Sequence, residues 1–278
     1  MSNWLPLLAT LSIQAMVAMA LLTLPVMAPV AAKSLSVSPA LVGVYVAITY
    51  AGAMFASLTS GTTVSRLGPI RVSQWGLLLC ATGLCLCAVP GLPAIGLGAL
   101  MIGLGYGPIT PASSQILART TPPSQMALVF SIKQTGVPVG AMLAGAIVPS
   151  LMLRIDWQWS LVAVALACVA SAVMAQPMRE GMDDLRQPQL PFQMGTLTTP
   201  LRMVLGHRAL STMAACSFMF SMVQMSLTTY LVTYLHDDLA YGMVSAGLLL
   251  SVTQMGGIGG RIAWGVVADR WRSEEHTS

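Results

Sequence analysis

Two ionisable residues lie inside long apolar stretches of this chain, Lys133 and Arg261. Charged groups in such settings are costly and mark function by default. Lys133 is nine residues beyond Ser124, just past the Pro122-Pro123 turn, which places it about 13 Å along a helix. None of the apolar runs holds an acid that can pair with it. Asp156, Asp237 and Asp238 fall at one set of run ends, and Asp183, Asp184 and Asp269 at the other. Lys133 with adjacent Gln134 is therefore a candidate site for an anionic group such as a carboxylate. The competing reading has Lys133 snorkelling to the surface or pairing with an acid outside this sequence. Arg261, about two turns before Asp269, reads as a structural partner near a gate at one helix end. Single amides at Gln14, Gln115, Gln224 and Gln254 can hydrogen-bond a polar solute or hold helices together.

Other chemistries lack their residues. His207, His236 and His276 all lie outside the apolar runs, and neither His-Glu-x-x-His nor Gly-x-Ser-x-Gly occurs, so neither a metal hydrolase nor a serine nucleophile is indicated. The five cysteines have no zinc or redox spacing and read as small buried hydrophobes. No cofactor or metal is expected, and an intramembrane enzyme is the minor alternative.

The elements that position these residues are spanning helices. Of 278 residues, 55% are hydrophobic and only 8% charged, far below the roughly 25% charged residues of soluble domains. The thirteen basic residues are scattered and form no basic face for nucleic acid. Eight apolar runs, centred near Met16, Ala51, Leu84, Gly105, Leu143, Leu166, Phe220 and Ser251, are each about long enough to span a bilayer. Backbone amides in lipid must pair internally, so the fold class is all-α integral membrane. With both ends inside, the cytoplasmic loops hold Arg66, Arg71, Arg119, Arg179, Arg186, Arg202, Arg208, Arg270 and Arg272, against Lys33 and Arg154 outside. That bias follows the positive-inside rule and suits a multi-pass protein of a bacterial inner (plasma) membrane. The polar, proline-containing stretch 177–207 reads as a cytoplasmic linker between a six-helix bundle, 1–176, and the first two helices of a second bundle, 208–271.

An internal echo supports the division. Gly61-Thr-Thr-Val-Ser65-Arg66 after the second run matches Gly265-Val-Val-Ala-Asp269-Arg270 after the eighth, and at the same offset Gly43 falls on Gly247 and Gly52 on Gly256. On these residues the chain resembles the major facilitator superfamily, whose loop after the second helix of each half reads Gly-x-x-x-Asp-Arg-x-Gly-Arg-Arg or a variant. Gly61, Arg66 and Gly68 match in the first half, where Ser65 replaces the acid; Gly265, Asp269 and Arg270 match in the second. The resemblance implies a secondary active transporter working by alternating access, with this loop as a latch for one access state. It also implies that the first, fourth and seventh helices line the central cavity, which places Gln14, Gln115 and Gln224 beside Lys133 and Gln134 as candidate substrate contacts.

The expected substrate is a small solute, an organic anion in the leading reading, with a proton or sodium ion as possible co-substrate, the bilayer as solvent and a monomeric protein. A drug or metabolite efflux antiporter is the alternative. The run Gly136-Val-Pro-Val-Gly140-Ala-Met-Leu-Ala-Gly145 resembles the fifth helix of the family's antiporters, although Ala141 stands where they have Pro. Twelve helices are implied and eight are present. Residues 272–278 read as a translated sequencing adapter, so the chain is expected to be truncated and inactive by itself.

Overall fold

Long runs that are apolar on every side cannot leave backbone amides to lipid, and they fold as helices. The computed structural model describes residues 4–184, 186–190 and 198–275. Every regular element among them is helical. The first span is α1 (Trp4–Val26), followed by the short α2 (Ala28–Ser34); the second is α3 (Val42–Leu67) and the third α4 (Pro69–Cys87). The fourth is α5 (Leu92–Tyr106) with α6 (Ile109–Thr120), bent at Gly107-Pro108, and the fifth begins as α7 (Met126–Gln134) and runs on through Thr135 into α8 (Gly136–Met174). After α9 (Arg179–Met182) and α10 (Thr198–Gly206) come the long α11 (Arg208–Thr233) and α12 (Met243–Glu275).

Among the described residues, seven helical stretches are long and apolar enough to cross a membrane. The one over Met126–Met182 is two spans, because Ile155 (φ −132°, ψ 19°) and Asp156 (φ 63°, ψ 164°) leave the helical region and reverse the chain. All eight expected runs are therefore spanning helices. Chain alternation puts Arg66, Arg71, Arg119 and Arg179 at one end of the bundle and Lys33, Arg154 and Asp237 at the other.

Within residues 4–182, α1 packs along α8, α4 lies between α5 and α8, and α3 lies on α5. Val17, Leu21, Leu77, Leu84, Ile102, Val148 and Leu161 fill the core between them. The second series docks mainly through α12, which packs on both α7 and α8. Small residues permit the approach, as expected for helix pairs in lipid. A side chain on Gly145 or on Gly247 would run into the other's carbonyl oxygen, and Ser251 Oγ donates to the Met142 carbonyl at 2.8 Å beside that crossing. The sequence echo is not repeated in these contacts. Gly52 presses on the Leu100 carbonyl of α5, whereas Gly256 has nothing within 4 Å. Helix α11 is loosely held and exposes Met213, Phe218, Met219 and Val223.

Candidate functional site

Helices α7, α11 and α12 border an open cavity of about 830 Å³. Phe130, Ser131 and Gln134 face it from α7, Phe220 and Gln224 from α11, and Gln254, Arg261 and Trp264 from α12. Among the described residues, Arg261 is the one charged residue on this lining. Towards the opposite end the space narrows to about 10 Å³ between Tyr50, Tyr106, Pro138 and Thr228, with Gln224 and Gln254 bordering both chambers. That is room for about one water. Tyr50 and Tyr106 meet edge-to-face there, ring centroids 6.2 Å apart. Beyond them Tyr230 of α11 donates to the Ala40 carbonyl at 3.4 Å and lies over Gly43, joining the second series to the first at the far end. The wide chamber thus lies nearer the arginine-rich end and the narrow one nearer the other.

Of the residues singled out from the sequence, Gln134, Gln224, Gln254 and Arg261 come together on this cavity. Lys133 does not line it. Its side chain is 1% exposed and turns to α6, where Nζ donates to the Thr110 carbonyl and to Ser114 Oγ, each at 3.3 Å. No carboxylate among the described residues pairs with it. Gln14 is fully buried behind the same helix, its Cβ and Cγ against Gly136, and neither amide atom has a hydrogen-bond partner among the described residues. Gln115 points outward from α6 and is exposed. The cavity thus presents neutral amides, aromatic faces and a guanidinium, a set suited to binding a polar or anionic solute without bond-making chemistry.

A family model described as Major Facilitator Superfamily matches residues 8–275. The chain belongs to that superfamily. Superfamily relatives are transporters rather than enzymes. A putative metabolite transport protein of Haemophilus influenzae is 27% identical over 90% of this chain and 63% of its own length. The hexuronate transporter of Bacillus subtilis is 22% identical over 80% of this chain and 56% of its own. The sodium-dependent phosphate transport protein 1 of Arabidopsis thaliana chloroplasts is 22% identical over 76% and 44%. The chain therefore spans about half the length of the curated relatives it matches. In solved structures, a peptide transporter bound to alafosfalin superposes with a TM-score of 0.53 at 19% identity, covering 81% of this chain and 46% of that one. An auto-inhibited peptide transporter gives 0.52 at 17% identity, covering 96% and 54%.

The superfamily loop after the second span has an unexpected partner. Gly68 turns the chain with φ 92°, where glycine is favoured, and the amides that open α4 donate to Asp183 of the linker. Ile70 N–H reaches Oδ1 at 2.8 Å and Arg71 N–H reaches Oδ2 at 3.1 Å. A Cβ on Gly68 would collide with that carboxylate. Arg179 lies 3.7 Å from it, and Gln187 N–H donates to the Ser65 carbonyl at 2.8 Å. A carboxylate over the first amides of a helix satisfies orphan donors and the helix dipole. Burial raises the Asp183 carboxyl above its ordinary range, against the pull of the two amides and of Arg179 and Arg186. Sequence inspection assigned Asp183 only to the linker, because its partners lie more than a hundred positions away. Of the other motif residues, Gly61 is open to its surroundings, Arg66 is half-buried and Gly265 presses on Ser131 of α7. The side chains of Asp269 and Arg270 lie outside the described residues.

Proposed function

We propose that this chain forms the first part of a secondary active transporter that moves a small anionic solute by alternating access. The observation that carries the reading is the cavity of about 830 Å³ between the two helix series, which narrows beside Tyr50 and Tyr106, with the Tyr230–Ala40 contact joining the two series beyond. In an inner membrane with the arginine-rich loops cytoplasmic, this is an inward-open state. Gln134, Gln224 and Gln254 bind polar parts of the solute, while Lys133, buried between α7 and α6, keeps a positive charge near the site. The relatives named for hexuronate and phosphate transport support an anionic substrate. A proton or sodium ion drives the cycle, the protein works as a monomer, and the motif residues Gly61, Arg66, Gly68, Gly265, Asp269 and Arg270 latch one access state. The α7–α8 run of Gly and Pro residues favours, as a second reading, an efflux antiporter.

Accessibility tests the proposal. Ser131→Cys is introduced with the five native cysteines replaced, the chain is placed in liposomes, and an impermeant thiol reagent is applied from each side. Labelling is expected from the arginine-rich side and not from the other, and it slows when a bound solute fills the cavity. Equal labelling from both sides would overturn the inward-open assignment.

A further inference from the structure

Helix α7 continues into α8 without a turn, so the carbonyl of Gln134 should accept from the amide four residues on. That residue is Pro138, which has no N–H. The neighbouring Thr135 carbonyl is satisfied normally, by Val139 N–H at 2.9 Å. Gln134 is left with a free carbonyl at the edge of the cavity, and Arg261 Nη1 of α12 donates to it across the boundary between the two helix series. One guanidinium donor of five is used, and among the described residues no carboxylate lies within ion-pairing distance of the others. The cavity wall thus carries an uncompensated, partly buried guanidinium held in place by a backbone oxygen. Lys133, the other cation of the apolar core, is sealed behind α7 and contributes nothing to the lining.

We infer that Arg261 is the residue through which the cavity recognises a carboxylate or phosphate group, and that the Gln134 carbonyl freed by Pro138 orients it. This rests on the anionic-solute reading above. A guanidinium fixed through one nitrogen keeps a planar edge for bidentate pairing with an oxyanion, which an ammonium cannot match. Gln224 and Gln254 then hydrogen-bond the rest of the solute, and Trp264 supplies an apolar wall.

The test is a set of binding titrations on the chain in lipid nanodiscs, using glucuronate, benzoate and inorganic phosphate beside the uncharged glucose and benzamide. The wild-type chain should bind at least one anion. Arg261→Gln should weaken it by about tenfold or more, the loss of one charged hydrogen-bonded contact, with no change for an uncharged compound. Arg261→Lys should fall between the two. Pro138→Ala returns an N–H to the Gln134 carbonyl and should weaken anion binding by about threefold to tenfold while thermal stability is kept. An anion bound equally by wild type and Arg261→Gln overturns the assignment and leaves the anionic reading standing. Unchanged anion affinity in Pro138→Ala overturns the orienting role alone. Binding of no anion by the wild-type chain overturns both.

Discussion

Asp183 is 2% exposed, yet its acceptors are fully used by Ile70 N–H, Arg71 N–H and the approach of Arg179. Replacing it by alanine orphans two helix-opening amides and should cost about 1–2 kcal/mol, read as a lowered melting temperature in nanodiscs. Asp183→Asn keeps an acceptor and removes a buried charge, so it should cost less. The sign with pH follows from the raised carboxyl. A group that binds its proton more tightly when folded gives stability that is fully present below the ordinary aspartate range and is lost as pH rises through the raised value. Wild type should therefore gain on Asp183→Asn as pH falls, and a gap that widens with rising pH in favour of wild type would contradict this. Lys133 makes two long hydrogen bonds to neutral acceptors, each at 3.3 Å. If the ammonium is not needed for assembly, Lys133→Met should keep the fold within about 1 kcal/mol, since a methionine of similar reach fills the space without a buried charge. Loss of folded protein in this variant would show that the ammonium is needed for assembly. The sequence showed how deep Lys133 lies, because depth follows from helical rise. It could not show which way the side chain turns, which is set by the packing of α6 against α7.

At the scale of elements, the crossing of α8 and α12 is the seam between the two series. Gly145 and Gly247 touch backbone to backbone there. Gly145→Leu forces the helices apart and should destabilise the chain by about 1–3 kcal/mol, whereas Gly256→Leu, at a glycine with open surroundings, should be close to neutral. Comparable losses for both would mean that close approach at the crossing does not control the effect, since helix propensity alone favours leucine over glycine at either site. The helices themselves were legible in the sequence, down to the polar break between the fifth and sixth spans near Asp156. The kink at Gly107-Pro108 and the continuity through Thr135 were not resolved by composition, since a proline can either bend a span or begin one. The sequence echo sets Gly52 on Gly256, but the two differ in surroundings because contacts depend on neighbours and not on the repeat.

For the whole molecule, the compact part is residues 4–182 with α12 laid against it, and α11 hangs on few contacts. Cysteine accessibility maps this division. Cys80, Cys87 and Cys168 are buried, while Cys85 and Cys216 are exposed on helix faces. Lipid-soluble N-ethylmaleimide should label Cys85 and Cys216 in the folded chain and reach the other three only after denaturation, as read by peptide mass spectrometry. Early labelling of Cys80 or Cys168 would mean that the bundle opens in the native state.

The amino-acid sequence alone determined the class of molecule and the apolar runs that become its spanning helices. Lipid makes these local questions, because each helix must satisfy its own backbone and its hydrophobic length decides whether it crosses. Only the tertiary structure decided which charges face the cavity. Lys133 and Gln134 are adjacent in sequence but about 100° apart around the helix axis, so one is sealed against α6 and the other meets the cavity. Arg261 finds the Gln134 carbonyl 127 positions away, and Asp183 caps a helix 113 positions away. Such pairings depend on how rigid helices come to rest against one another, and no local pattern along the chain encodes them.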